Sequence, residues 1–389
     1  MISLSGAVPN FLLGASGPAS NNGDEKILVV VQLSGGNDGL NTVIPFDDDE
    51  YYRNRFTLAI SKNQILKIDD HIGFHPSLTG FGSLMDEGKL SVVQGVGYPN
   101  PNRSHFESMD LWHTAHQMTN QPVGWIGRSV DGHLANANLP AIHFGRGLQP
   151  LALKTEKKPV PSIRSIDNFQ LGVLKEQKSK ARLTAMIRSP RKTDNQLLSY
   201  IHESADVALA TSHKLEGVSK KNDKNEFQYP QTDLGRNLSV IAQLIGSGLS
   251  TRIYYVTLDG FDTHSNQREA HASLLNDLGN SVSAFMSQLK TQGDEDRVAL
   301  LSFSEFGRRV RENASAGTDH GAAAPLFVCG SSVKQGIVGK HPSLTDLDQG
   351  DMKFGIDYRS VYSDLLENWM GIDSSSVIGK KFEPVGLFA

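Results

Sequence analysis

Short apolar runs punctuate this chain, and the strongest of them stop at glycines set beside an acid. The stretch from Arg297 to Gly330 shows the pattern most clearly. Val298-Ala299-Leu300-Leu301-Ser302-Phe303 is short and β-compatible, which predicts a buried strand. Ser304-Glu305-Phe306-Gly307-Arg308 follows, where an acid leaves the strand and a glycine turns the chain. A polar loop then leads through Gly317-Thr318-Asp319-His320-Gly321 to a second apolar run, Leu326-Phe327-Val328-Cys329. The glycines around Asp319-His320 let backbone and ligand come close.

The same design recurs upstream. Lys26 to Leu33 is rich in β-branched residues and predicts a strand, ending in Ser34-Gly35-Gly36-Asn37-Asp38-Gly39. The spacing of a phosphate-binding loop is missing there, so taken alone the segment reads as a tight Asn-Asp-Gly turn. Leu90 to Val96 predicts another strand, and Pro99 and Pro101 forbid a helix until Ser104. From there Phe106, Met109, Leu111 and Trp112 fit a helix. Ser104 and Glu107 have the spacing of a capping box. A competing reading makes Ser104 a nucleophile, because a helix N-terminus favours an anionic oxygen. Pro140 to Phe144 and Arg252 to Leu258 predict further strands, the latter ending in Asp259-Gly260-Phe261-Asp262-Thr263-His264. Helices are predicted around Leu234–Ile245, from His271 to about Leu289, and from Val361 to Met370. Such alternation predicts an α/β fold, a mostly parallel sheet with helices on both faces.

Composition narrows the function classes. The 389 residues, 38% hydrophobic and 21% charged, describe a globular chain of one large α/β domain or two smaller ones. A formal net charge of -4 argues against a nucleic-acid partner, and no run is long enough for a membrane span. Cys329 is the sole cysteine, so no internal disulfide or thiolate metal site forms, and its apolar setting predicts a core residue. Thirteen histidines keep histidine–carboxylate sites open. Residues 153–192 turn basic and irregular, which predicts a solvated insertion or, alternatively, a basic lip over an anionic substrate. Ala7 to Ala15 is apolar and Gly17 to Gly23 small and polar, like the back half of an export signal. Residues 1–25 are therefore expected to be a truncated signal or a disordered leader, ahead of a single domain over 26–389.

Asp38, Asp262, His264, Glu305 and His320 all fall at or just beyond the ends of apolar runs. In open α/β sheets ligands gather outside the carboxyl ends of the strands. Hard carboxylates with neutral imidazoles suit a divalent metal, Zn²⁺, Mn²⁺ or Mg²⁺. Two such ions about 4 Å apart would clamp the attacking and leaving oxygens of a phosphate or sulfate ester. Ser104 would be the hydroxyl activated beside them.

Five strings occur in order: G-G-N-D-G-L-N-T (Gly35–Thr42), N-R-S-H-F (Asn102–Phe106), G-F-D-T-H (Gly260–His264), S-E-F-G-R (Ser304–Arg308) and G-T-D-H-G (Gly317–Gly321). Together they resemble domain-of-unknown-function family 1501, exported bacterial proteins often bearing twin-arginine signals. That family is in turn similar, more distantly, to the alkaline phosphatase and sulfatase superfamily. The resemblance implies an alkaline phosphatase-like fold and a location in the periplasm or outside the cell. It implies Ser104 as nucleophile and Asp38, Asp262, His264, Glu305 and His320 as ligands of one or two metal ions. Asn37, Arg103, His105 and Arg308 are assigned to substrate binding, and Asp319 to supporting a ligand. Phe306 stands where the superfamily has a histidine, which removes one imidazole from a second metal site. No formylglycine is expected, since neither Cys329 nor Ser189-Pro190-Arg191 has the required C/S-x-P-x-R spacing. The implied function is metal-dependent hydrolysis of a small anionic ester or a sulfated or phosphorylated saccharide. The alternative is an exported, non-catalytic binding protein that keeps the fold and has lost a metal site.

Overall fold

The structure, a computed structural model, describes residues 25–116, 122–137, 139–163 and 227–388. Residues 1–24 of the leader and 164–192 of the basic stretch lie outside them.

The central strand is β1 (Ile27–Ser34), whose side chains are buried on both faces except at Ser34, which is half-buried. A near-continuous Val/Ile/Leu run is what a sheet covered on both sides requires. The other strands of the large sheet are β2 (Leu90–Gly97), β3 (Ala141–Phe144), β4 (Ser162–Ile163), β5 (Ile253–Asp259), β6 (Val298–Ser304), β7 (Ala324–Cys329) and β8 (Gly336–Val338). They lie in the order β8-β2-β7-β6-β1-β5-β3-β4. A hairpin of β9 (Leu347–Asp348) and β10 (Asp351–Met352) follows, and β11 (Ile356–Asp357) adds to β2.

β1 pairs in parallel with β5 and β6, with Ser34 opposite Asp259 and Leu33 opposite Ser304. Three strands therefore finish level with one another. β7 is the exception to the parallel rule, running antiparallel to both β6 and β2. It enters the sheet at the edge where its neighbours leave. That single reversal puts the loop before β7, with His320, beside the loops that follow β1, β5 and β6.

Helices cover both faces: α1 (Thr79–Asp86), α2 (His105–Thr114), α3 (Trp125–Gly132), α4 (Asp233–Gly246), α5 (Gln267–Gln292) and α6 (Tyr358–Asp364). Val29, Val31 and Leu33 of β1 pack with Leu238 and Ile241 of α4 and Leu278 and Val282 of α5. Leu28 and Val30 belong to the opposite core, with Trp112 of α2, Trp125 of α3 and Tyr362 of α6. Each such fully buried aliphatic side chain stabilises the fold by roughly 1.5–3 kcal/mol. Cys329 is buried within β7. Among the described residues no helix is long and apolar enough to cross a membrane.

Local chemistry departs from the sequence expectations in two places. Ser104 does occupy the N-cap of α2, yet its side chain makes no capping hydrogen bond. Asn102 replaces the capping box: its Oδ1 accepts the Ser104 N–H at 2.7 Å and its amide donates to Glu107. The C-terminal helix begins at Tyr358 rather than Val361, capped by Asp357, whose side chain accepts from Arg359 N, and widens into a π turn over Leu365–Trp369.

Candidate metal centre

Four loops meet outside the carboxyl ends of β1, β5, β6 and β2. β5 delivers Asp262 and His264, β6 delivers Glu305, and the loop after β2 delivers Ser104 and His105 at the start of α2. His320 sits on the return to β7, paired across an isolated antiparallel bridge with Arg308. The Gly307 N–H to Ala322 bond (2.9 Å) and the Gly321 N–H to Gly307 bond (2.8 Å) close that loop. Glycine is required at two crossings. A Cβ on Gly35, which has φ +115°, would fall 2.4 Å from the Asp262 nitrogen, and one on Gly317 would fall 2.2 Å from the His264 carbonyl carbon.

The loops converge on one atom. Asp262 Oδ1 lies 3.0 Å from His264 Nε2, 3.2 Å from His320 Nε2 and 3.4 Å from His105 Nε2. His264 Nε2 and His320 Nε2 are 2.8 Å apart. Every one of these imidazoles has its other nitrogen turned to an oxygen. His105 Nδ1 lies 2.8 Å from Glu305 Oε1, His264 Nδ1 3.3 Å from Asp319 Oδ1, and His320 Nδ1 2.7 Å from the Arg103 carbonyl. Carboxylates and carbonyls only accept, so they set the proton on Nδ1 and leave the Nε2 lone pairs facing inward.

That arrangement fits a divalent cation. His105 Nε2 is buried and has no hydrogen-bond partner among the described residues, an orphaned acceptor aimed at the cluster. His105, Asp262 and His320 offer donor atoms all within 4.8 Å of one another. Ligands bound at about 2.0–2.2 Å stand about 3.0–3.5 Å apart in octahedral or tetrahedral sets, which brackets most of the separations here. Anchoring each ligand imidazole through its far nitrogen is also how protein metal sites orient histidine.

Burial favours the neutral acid at Asp262, but the Arg308 guanidinium, by its hydrogen bond and its charge, outweighs it and holds the carboxyl down at about 2. The hydrogen bond to Glu305 raises His105, whereas burial lowers His320. Phe306 closes one side, its ring 4.9 Å from His105 and 4.8 Å from His320.

The remaining expected residues are not among these donors. The structure does not bring Asp38 to the cluster. Its buried carboxylate is closed by both Nη atoms of Arg55, one at 2.8 Å, and by the Gln267 amide. Burial would raise Asp38, yet Arg55 overrides this and lowers it. Glu305 stands one layer behind His105, its oxygens also taken by Gly35 N–H and the Ser304 hydroxyl. Asn37 is buried, and its carbonyl oxygen accepts from Thr42 and His271, both at 2.9 Å. Arg308 is fully buried and donates to Gly36, Thr318, Phe261 and Asp262, leaving it no fork for a substrate. Arg103 is held by Asp351. Ser104 is half-buried between Arg103 and His105, and no capping bond ties up its hydroxyl.

His105 is the donor that sequence reasoning placed in another role. Its position next to Ser104 at a helix start was visible, whereas its partner Glu305 is 200 residues away. Arg55 carries no pattern of its own, being one arginine 17 residues beyond Asp38.

A family model described as Protein of unknown function (DUF1501) matches residues 25–382. No curated protein matches the sequence. Among solved structures the chain is similar to the PsFucS1 sulfatase from Pseudoalteromonas sp., with 9% identity and a TM-score of 0.41, over 97% of this chain and 76% of that one. It is also similar to the C-terminal periplasmic domain of EcEptC from Escherichia coli, with 9% identity, a TM-score of 0.40 and coverage of 93% and 90%. The lipoteichoic acid synthase LtaP from Listeria monocytogenes is a third, with 9% identity, a TM-score of 0.38 and coverage of 94% and 75%.

Proposed function

This chain belongs to the DUF1501 family, proteins of unknown function, and from that premise we propose a one-ion metalloenzyme that hydrolyses phosphate or sulfate esters. The ligands in this reading are the Nε2 atoms of His105, His264 and His320 and the carboxylate of Asp262. One observation carries it: three imidazoles, each anchored through Nδ1, turn Nε2 towards the same carboxylate oxygen. When bound, a divalent ion such as Zn²⁺ or Mn²⁺ supplies Lewis-acid polarisation of an ester oxygen.

The chain's own residues do the rest. Glu305, Asp319 and the Arg103 carbonyl hold the three rings. Arg308 keeps Asp262 ionised and oriented. Ser104, whose hydroxyl has no capping duty, is the nucleophile in this reading. A single ion is favoured because Arg55 already neutralises Asp38 and Phe306 fills the side where another imidazole would stand. The substrates are small anionic esters or sulfated or phosphorylated saccharides, met outside the cytoplasm.

A second reading draws on the same donor set. Four protein ligands close a tetrahedral ion, as in structural sites. The chain would then be a metal-bearing binding protein without turnover. Assays with aryl phosphate and aryl sulfate esters, in added Zn²⁺ or Mn²⁺, separate the two. The enzyme reading predicts turnover that Ser104→Ala abolishes, with metal content retained and stability almost unchanged, since no cap bond is lost. Equal turnover in both proteins removes Ser104 from the mechanism, and no turnover in either favours the binding protein.

A further inference from the structure

Beside the candidate metal centre, three charged side chains make a second arrangement. Arg103 donates from Nε and Nη2 to Asp351 Oδ2, at 2.8 and 2.6 Å. Arg309 approaches the other oxygen, with Nε 3.6 Å from Oδ1. Asp351 is buried, its side chain only 4% exposed, and Oδ1 has no hydrogen-bond partner among the described residues. The two guanidiniums that share this carboxylate remain accessible, at 37% for Arg103 and 36% for Arg309.

The local sequence explains how a buried acid comes to lie between them. Asp351 opens the second strand of the β9–β10 hairpin, opposite Asp348. Gln349 and Gly350, at φ 51° and 89°, form the two-residue turn. Positive φ at both positions is the turn that matches strand twist. The hairpin thereby fixes the carboxylate against Arg103, which lies 248 residues earlier.

Both arginines are chain neighbours of the centre. The Arg103 carbonyl accepts from His320, and Arg309 follows Arg308, whose guanidinium holds Asp262. Two guanidiniums against one buried carboxylate leave one positive charge in excess. Among the described residues only Asp351 meets these guanidiniums, so their other N–H groups can form paired bonds to an oxyanion. Because Asp351 already orders Arg103, little side-chain entropy is left to lose on binding. Asp348 is exposed on the same hairpin and opposes an incoming anion.

We propose that Arg103 and Arg309, set by Asp351, form an anion-binding arm that takes the sulfate or phosphate end of the substrate. This rests on the ester-hydrolase reading of the neighbouring centre and adds Arg309 and Asp351 to it as binding and positioning residues.

Calorimetric titration of inorganic sulfate and phosphate into the full chain, with and without one equivalent of zinc, tests it. Arg309→Met is expected to weaken anion binding by about tenfold, the loss of a bidentate guanidinium contact. Arg309→Lys keeps the charge but not the fork and should fall between. Asp348→Asn should tighten binding. Zinc content of the same samples should stay at the wild-type value in all three. Anion affinity that is unchanged in both Arg309 variants, or no anion binding by the wild type, overturns the arm. Arg309-dependent anion binding in a chain that takes up no zinc overturns the metal reading instead and leaves the arm standing.

Discussion

His264 and His320 meet Nε2 to Nε2 at 2.8 Å, while the Nδ1 of each is turned to an oxygen. Two imidazole lone pairs at that distance repel unless a cation or a proton lies between them. Zinc or manganese should therefore stabilise the folded chain, by about 2.7 kcal/mol at a hundred times the dissociation constant. Thermal unfolding with and without metal reads this directly. The double variant His264→Ala/His320→Ala should lose the rise in midpoint, and a wild-type midpoint that metal does not move contradicts the assignment.

In the proposed centre Glu305 would act through His105 rather than on the ion. Its Oε1 accepts from His105 Nδ1–H at 2.8 Å and from the Gly35 N–H at 2.9 Å. Glu305→Gln should weaken metal binding by about 10–100-fold, the usual cost of removing a carboxylate behind a ligand histidine. Asp319→Asn should cost less, because its contact to His264 is longer and more exposed. Competition with a chromogenic chelator measures both. Wild-type affinity in Glu305→Gln would exclude this support.

Asp38 and Arg55 form a pair with both side chains 0% exposed. Breaking such a pair leaves an uncompensated buried charge, so Asp38→Asn should destabilise the fold by about 3–5 kcal/mol. Metal content should not change. Urea unfolding together with metal analysis distinguishes this from a ligand role, in which metal would be lost while stability fell little.

The strand ends were legible because the apolar runs are short, β-branched and closed by glycine. Asp262, His264 and His320 followed from the same signal, each lying within a few residues of such a run. Strand direction was not legible: nothing in Ala324–Cys329 says that it runs antiparallel to both neighbours. Roles set by distant partners were hidden for the same reason. Glu305 stands behind His105 and Asp38 is closed by Arg55 through packing that no local pattern encodes. Arg308 looked like a substrate clamp on its motif, and only the backbone carbonyls around it show where its donors go.

Acid should weaken the fold through histidines remote from the centre. Burial lowers His113 from 6.5 to about 3 and His143 from 6.5 to about 4. Below 6.5 the unfolded chain binds protons that the folded chain refuses, so stability rises with pH across the window between the two values. Each group contributes a slope of about 1.4 kcal/mol per pH unit there. His113 Nε2 meets Gln32 Oε1 at 2.9 Å and the Tyr255 hydroxyl at 3.2 Å, and His113→Gln should flatten the slope by about that one-group amount. Urea midpoints at pH 4.5 and pH 7 that differ equally in the two proteins would rule His113 out.

The most direct test of the account is the number of metal ions per chain, measured by elemental analysis of protein purified without chelator and re-equilibrated with zinc or manganese. One ion per chain is predicted for the wild type, with near-complete loss in the His105→Ala/His320→Ala double variant and no change in Ser104→Ala. No bound metal, or two ions per chain, would contradict it.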